Sequence, residues 1–316
     1  MALTKAKFGV ISSALASGNA TDGYVLTADG SGNSAWEEVA GGPTHKTFGT
    51  SSIMIGDTTT GTIDAANYNI GLGVDVFNTL TTGDSNIAIG HQALYSNTTG
   101  STNVGIGHGA LYNNSTASNN TAVGYFSMIG NTVGHSNVSL GYQAMNTNVQ
   151  GNRSVAVGYQ ALYTQNPSSA GDTKNTAVGW ASMALTTTGT LNTAVGADSL
   201  ESNTTASRNT AIGSRVLTAN TTGENNTGVG EFTLAANTTG SHNTAVGTGA
   251  MAYNSTTYSY NTAVGRRALH YNTNNYNTAV GADAGLILLQ DIQMFLWGIK
   301  QQMHQQLVHL IQLLVW

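Results

Sequence analysis

Aromatic side chains that recur at one position are the residues of this sequence best suited to binding chemistry. Each follows a glycine that returns about every 17 residues, so a chain that coils with this period would place the rings one above another. Aromatic faces pack against the C–H faces of sugars, and the pattern predicts a glycan contact at Tyr125, Tyr142, Tyr159 and Trp180. The alternative is that the rings only pack on each other, as a structural ladder.

Histidines and carboxylates show no arrangement typical of catalysis. His91 and His108 hold the same repeat position and would bind a metal only if symmetry brought copies together. Glycosidic cleavage needs a pair of carboxyl groups, whereas the 15 Asp and Glu are dispersed, and Asp198 and Asp283 hold equivalent positions five coils apart. The sequence therefore predicts no catalytic residue, no cofactor, no metal site and no enzymatic activity.

The repeat that positions these residues covers most of the chain. Its marker glycines are separated by 17 residues six times, then by 21, by 17 four times, by 18 and by 16. They are Gly56, Gly73, Gly90, Gly107, Gly124, Gly141, Gly158, Gly179, Gly196, Gly213, Gly230, Gly247, Gly265 and Gly281. Constant spacing with uniform neighbours is typical of a solenoid, in which every coil stacks on a nearly identical coil.

The residues before each marker glycine alternate in character. An aliphatic residue such as Val123 precedes it directly, a small residue such as Ala122 comes next, and a β-branched residue such as Thr121 stands three before the glycine. Asn stands four before it in twelve coils, where stacked amides can hydrogen-bond along the axis. Alternation with a period of two predicts a short strand with two different faces.

A second apolar site, as in Ala93-Leu94, follows the glycine, and a turn such as Asn97 to Gly100 comes after it. The sequence thus predicts two short strands and two turns per coil. The predicted fold is all-β, a parallel β-solenoid (β-roll) of about fourteen 17-residue coils. At about 4.8 Å per coil it would be a rod roughly 65 Å long.

The oligomeric state follows from the thin core that such coils allow. The aliphatic column is too narrow to close a wide core within one chain, and the Ala/Gly column predicts a surface where another backbone approaches closely. We therefore expect a homotrimeric rod. Four extra residues near 165–171 interrupt the spacing and are predicted to bulge outward, because the flanking columns keep their phase.

Composition excludes several classes of partner. Only 8% of residues are charged, the net charge is −5, and the ten Lys and Arg form no basic face, so no nucleic acid is expected. The absence of Cys excludes disulfides and thiolate metal sites within the chain. Residues 1–16 hold two lysines and an apolar stretch like a signal peptide, but Gly9, Ser12 and Ser13 break that stretch, which favours an ordinary N-terminus.

The motif Ser154-Val155-Ala156-Val157-Gly158-Tyr159-Gln160-Ala161-Leu162 resembles the head repeats of trimeric autotransporter adhesins, and more closely the longer repeats of bacteriophage tail fibres. The first resemblance implies a left-handed parallel β-roll trimer. The segment 22–36 is similar to N-terminal segments of tail-fibre proteins, which implies that residues 1–45 join a fibre to other virion tail proteins. Residues alone predict a strand, a glycine-rich turn and a return strand that ends at Trp36.

Composition changes at Leu286, which separates the 46–285 rod from an atypical hydrophobic tail at 286–316. One interpretation is an amphipathic helix that forms a trimeric coiled coil. Its apolar positions would be Ile292, Leu296, Ile299, Met303, Leu310 and Leu313.

The other interpretation is a frameshifted reading of further repeats. Codons for Leu286 to Gln302 can be chosen so that reading from the third base gives Asn-Ile-Thr-Thr-Gly-Tyr-Ser-Asn-Val-Phe-Val-Gly-Tyr-Lys-Ala-Ala, which is the repeat again. The gene's nucleotide sequence decides this hypothesis: codons that fail to restore the motif in another frame would end it.

Three functions are compatible with these patterns. The leading expectation is a structural fibre of a phage virion, extracellular, that extends from the tail, contributes to recognition of a host-surface glycan and does not insert into a membrane. The alternatives are a bacterial trimeric surface adhesin and an ice- or glycan-binding solenoid that uses its Thr columns.

Overall fold

Every regular element that the computed structural model describes is a β-strand. The structure describes backbone and side chains at 52–55, 66–253 and 257–286, and backbone alone at 24–28, 34–38, 45–48 and 295–297. Because one short strand returns in each repeat, the period of the sequence becomes the period of the fold.

Twenty strands occur in the described residues. They are β1 (Tyr24–Ala28), β2 (Ser34–Glu38), β3 (His45–Phe48), β4 (Ser52–Ile55), β5 (Ile70–Leu72), β6 (Ile87–Ile89), β7 (Val104–Ile106), β8 (Thr121–Val123), β9 (Val138–Leu140), β10 (Gly151–Asn152), β11 (Val155–Val157), β12 (Gly171–Asp172), β13 (Thr176–Val178), β14 (Thr193–Val195), β15 (Thr210–Ile212), β16 (Thr227–Val229), β17 (Thr244–Val246), β18 (Thr262–Val264), β19 (Thr278–Val280) and β20 (Phe295–Trp297).

Sixteen of these strands form one sheet that runs along the rod, and all of its strand pairs except β3–β4 are parallel. Equivalent residues pair without slippage, as Thr193 pairs with Thr210 and Val195 with Ile212. The predicted parallel β-solenoid is confirmed, with about 13 turns. Strand β3 lies antiparallel on β4 and covers the first edge of the stack, where an open strand would expose unpaired backbone groups.

The predicted N-terminal hairpin is also present. Strands β1 and β2 pair antiparallel, from Tyr24 with Glu38 to Ala28 with Ser34, so the return strand continues two residues past Trp36. Residues 1–23, which include the stretch like a signal peptide, lie outside the described residues.

The two faces of the sheet are the reverse of our expectation. The small residue at the centre of each strand points into the coil and is fully buried, as at Ala122, Ala194 and Ala245, whereas the aliphatic and β-branched residues point outward. The prediction that the Ala/Gly column forms the outer association surface was therefore wrong. A coil of 17 residues is so narrow that only a small side chain fits between the sheet and the opposite wall.

The opposite wall supplies the large core residues. The second apolar site predicted after the glycine is buried throughout, and its Leu or Met stacks in the coil centre. These side chains are Leu94, Leu111, Met128, Met145, Leu162, Met183, Leu200, Leu217, Leu234, Met251 and Leu269. The core is thus one file of Leu and Met, packed between files of alanine.

That wall is built from turns, so the prediction of a second strand in each coil was wrong. Residues two and four after the glycine have positive φ, such as 57° at Gln92 and 51° at Leu94. Although positive φ alternates along this wall, its backbone still forms hydrogen bonds along the rod axis. Gln92 N–H donates to the Val74 carbonyl in the coil before (2.9 Å), and Leu94 N–H donates to the Ala110 carbonyl in the coil after (3.0 Å).

The predicted asparagine ladder is confirmed and involves the backbone. Asn103 N–H donates to Asn86 Oδ1 at 2.9 Å, and Asn120 N–H donates to Asn103 Oδ1 at 3.0 Å. The side-chain amide of Asn103 also donates to the Ala117 carbonyl at 2.8 Å. Each of these buried amides therefore satisfies backbone groups at a corner of the coil, which would otherwise remain without partners.

The extra residues between Gly158 and Gly179 form the predicted bulge. Asn166 and the segment 168–170 are exposed, while β11 and β13 on either side pair in register. Strands β10 and β12 pair in parallel beside the bulge. A hydrogen bond from Lys174 holds the pKa of Asp172 below its ordinary value, and the charge of Arg153 acts in the same direction.

Most of the hydrophobic tail lies outside the described residues. Beyond Leu286, its described part is Phe295–Trp297, a strand that pairs in parallel with β19, and Thr278 pairs with Phe295 one period away. Leu296, a core position of the amphipathic-helix interpretation, therefore lies in a strand. The frameshift hypothesis stays a prediction.

Candidate functional site

The predicted aromatic residues form one continuous stack at a corner of the coil. The marker glycine turns the chain away from the sheet, and the side chain after it points along the corner. The centroids of neighbouring rings are 5.3 Å apart between Tyr125 and Tyr142, 5.2 Å between Tyr142 and Tyr159, and 5.9 Å between Tyr159 and Trp180, with interplanar angles of 10° or less. The coil spacing is close to the distance at which aromatic rings stack, so the rings lie face to face.

Stacking decides which surfaces of these rings a ligand can reach. Tyr142 and Tyr159 have a ring on both faces, so their exposed parts are edges. Trp180 ends the stack, because Ala197 holds the same position in the next coil, and its side chain is 55% exposed. Of the four predicted residues, Trp180 is the one that offers an aromatic face.

A carboxylate residue follows on the next coil. The Asp198 N–H donates to the Trp180 carbonyl at 3.0 Å, which fixes Asp198 on the coil just beyond the indole. Its Oδ1 atom is buried without a hydrogen-bond partner, and its Oδ2 atom lies 3.8 Å from Arg215 Nε. Because Oδ1 is buried, the feature that a ligand can reach at this end of the ladder is the apolar face of the indole.

Ring stacking also occurs at other corners, which supports the structural interpretation of the ladder. Tyr95 and Tyr112 stack at 4.8 Å. His242, Tyr260 and Tyr276 form a further stack, with centroid distances of 4.8 and 5.2 Å. Stacked rings are therefore a general device of this solenoid, and only the ends of a stack provide a ligand with a new surface.

The histidine end of the ladder is less suited to a ligand. His91 and His108 have their Nδ1 atoms 3.3 Å apart, and Asp75 Oδ2 lies 3.9 Å from His91 Nε2. Within the described ranges there is no group of three or more side chains that could hold a metal ion.

The two carboxylates at equivalent positions stay apart. Asp198 and Asp283 lie five coils from each other, about 24 Å at the spacing of stacked strands. Each is beside arginine: Arg215 near Asp198, and both Arg266 and Arg267 at Asp283. Their separation does not allow them to act on one bond.

The sequence did not identify a cleft of about 520 Å³ near the C-terminal end of the rod. Six of its lining residues are Phe232, Gly249, Tyr253, Arg266, Arg267 and His270, and the rest are Thr248 and alanines. The one signal in the sequence is Gly249, which holds a position where the neighbouring coils carry Phe and Arg.

Comparison of the chain with protein-family models, curated proteins and solved structures gives no match. In the part of the chain that the structure describes, no helix is long and apolar enough to cross a membrane.

Proposed function

We propose that this chain is a structural fibre protein of a phage virion, a homotrimeric rod that extends from the tail and contributes to recognition of the host surface. The observation that carries the proposal is a continuous apolar row on the outer face of the sheet. In every coil the residue before the marker glycine is aliphatic and points outward. A row of this length is typical of a surface that is buried against another molecule.

The exposure of these side chains is considerable. Leu72 is 47% exposed, Ile212 42% and Val264 38%, although they lie in the regular centre of a sheet. Isolated exposed aliphatic residues need no explanation, but an outward-facing aliphatic residue that is exposed or half-buried in every coil along the stack does. Because the row is straight and repeats at the coil spacing, it matches another copy of itself better than a globular partner.

A fibre also agrees with the remaining surface. Few charges and many Asn, Thr and Ser give a rod that stays soluble through amides and hydroxyls once its apolar row is covered. The resemblance of the repeats to phage fibres and to trimeric adhesin heads supports three copies. Disruption of the row tests the proposal, and the expected result is argued in the Discussion.

The same face supports ice binding as a second candidate function. Thr193, Thr210 and Thr227 lie in register in neighbouring strands and point outward beside the aliphatic row. This function requires the face to remain open to solvent, so it excludes the trimer. A monomer that produces thermal hysteresis in freezing solutions would favour ice binding, whereas a trimer without hysteresis favours the fibre.

Host recognition is assigned to the exposed end of the ladder. We expect Trp180→Ala to weaken binding to a bacterial surface polysaccharide about 5-fold, since an aromatic face contributes roughly 1 kcal/mol. Binding is measured on an array of bacterial polysaccharides.

The control for this prediction is Leu185→Ala, which removes another exposed apolar side chain from the same coil without removing an aromatic face. Its binding should equal that of the unchanged chain. If Trp180→Ala keeps full binding on the array, the ladder has only a structural role.

A further inference from the structure

The cleft near the C-terminal end of the rod exists because one side chain is missing from a column. The position two residues after the marker glycine carries Phe232 in one coil, Gly249 in the next and Arg267 in the one after. Gly109 leaves a similar gap in an earlier coil, but there the Phe126 ring fills it and lies 2.5 Å from the place of a Cβ atom. At Gly249 the nearest atoms lie 3.4 Å from the place of a Cβ atom, an ordinary van der Waals distance, so no neighbouring side chain fills the gap.

The walls of the cleft are aromatic. Phe232 is 39% exposed and Tyr253 62% exposed, and Ala235, Ala236 and Ala252 between them leave the space free. Tyr253 is held by an edge contact with His270, whose ring centroid lies 5.0 Å away. An apolar ring that enters from solvent would therefore contact aromatic carbon, and the volume of the cleft suits one or two sugar units.

Two guanidinium groups lie at the other side of the cleft. Arg266 Nη2 and Arg267 Nε bond to the two oxygens of Asp283 at 2.6 and 2.7 Å. One carboxylate thus orients two cations, which leaves one positive charge in excess and several N–H donors on Arg266 and Arg267. The two neighbouring carboxylates lie outside the lining of the cleft. Asp283 does not line it, and Glu231 lies two coils before Arg266 in the column that follows the marker glycine.

His270 is held in a fixed orientation. Its Nδ1 atom lies 2.7 Å from the Gly249 carbonyl, which can only accept, so Nδ1 carries a proton and donates it. Within the described residues that line the cleft, the charged side chains are both arginine.

We propose that this cleft binds a carboxylate-bearing pyranose, a uronic acid unit of an acidic surface polysaccharide. The sugar ring packs against Phe232 and Tyr253, and its carboxylate accepts hydrogen bonds from Arg266 and Arg267, the geometry in which guanidinium recognises carboxylate. The proposal names the ligand class for the host recognition proposed above and rests on that function. It is a second site, separate from the ladder that ends at Trp180.

Two probes that differ in one group test the assignment. Methyl β-glucuronide and methyl β-glucoside share a ring, and only the first carries a carboxylate. Titration of the full chain, followed by saturation-transfer NMR, should give a millimolar Kd for the glucuronide and a Kd at least about 10-fold weaker for the glucoside. Raised salt should weaken glucuronide binding, because its charge contact is partly exposed.

Two variants locate the binding. Gly249→Phe should fill the cleft and abolish binding of both sugars. The same column accepts phenylalanine at Phe126 and Phe232 with φ of 52° and 54°, close to the 67° of Gly249, so the variant should fold. Arg266→Gln should weaken the glucuronide about 10-fold and leave the glucoside unchanged.

The matched control is Gln92→Phe, which places the same side chain in the same column at φ 57°, many coils away. It should bind the glucuronide like the unchanged chain. Three results would overturn the proposal. They are equal affinity for the two sugars, no glucuronide binding at 50 mM (roughly ten times the expected Kd), and full binding by Gly249→Phe. A Gly249→Phe chain that binds both sugars like the unchanged chain but has a lower oligomeric mass would also overturn it. That result would show that a second copy of the chain occupies the cleft. A trimer that binds no acidic sugar would refute this site and leave the fibre proposal intact.

Discussion

Gly124→Ala is expected to lower the free energy of unfolding by on the order of 4 kcal/mol, among the largest effects of a single methyl group. Gly124 has a φ of 133°, which L side chains rarely adopt, and an added Cβ would lie 2.5 Å from the Gly141 carbonyl oxygen in the next coil. That oxygen cannot move away without breaking the contact between coils. Urea denaturation followed by circular dichroism measures the loss.

The matched control is Gly171→Ala in the bulge, where an added Cβ meets nothing within 4 Å. This variant should unfold at the same urea concentration as the unchanged chain, or slightly above it, because alanine restricts the unfolded state. Equal stability of the two variants would mean that the marker glycines do not stack backbone against backbone.

The double change Val195→Glu and Ile212→Glu is expected to convert the proposed trimer into a folded monomer. Val195 and Ile212 pair in neighbouring strands and are 38% and 42% exposed in the single chain. In a trimer, six added carboxylates would lose water in an apolar interface, which costs several kcal/mol for each buried charge. In a monomer they would remain in solvent. Sedimentation velocity should show one chain for this variant and three for the unchanged protein.

The control for the double change is Thr205→Glu and Thr222→Glu, which adds the same charges at exposed turn positions of the same two coils. It should remain trimeric, and circular dichroism should show that both double variants keep the β-sheet. A Val195→Glu and Ile212→Glu chain that sediments like the control would show that the aliphatic row is not the contact surface.

The period, the strand and the asparagine columns were predictable because each follows from a local rule. Glycine at a corner, β-branched residues in a strand and amides that stack are repeated in every coil, so chance agreement is low. The sequence also identified Ala93-Leu94 and its equivalents as a second apolar site, which the structure buries. Repetition made these signals stronger than they would be in a globular domain.

The direction of the strand faces was not predictable from alternation alone. Thr121-Ala122-Val123 alternates in the same way whether alanine or its neighbours point inward, and the choice depends on the width of the coil. The turn wall was missed for another reason. Leu94 and Leu111 adopt positive φ, which is unfavourable for aliphatic residues, and only the axial hydrogen bonds of the stack compensate for it.

The ladder was predictable as a column, but the difference between its members was not. Whether Tyr142 offers a face or an edge depends on the rings above and below it, and Trp180 differs because Ala197 follows it. The cleft was missed because it arises from an absent side chain at Gly249, and the absence has meaning only beside Phe232, Tyr253 and the arginines of the next coil.

The mass of the unchanged chain in solution, measured by multi-angle light scattering, tests the fibre account most directly. Three copies of the 32.6 kDa chain give about 98 kDa, and this is the expected mass at micromolar concentration. A particle of 32.6 kDa would leave the aliphatic row in water and would contradict the trimeric fibre.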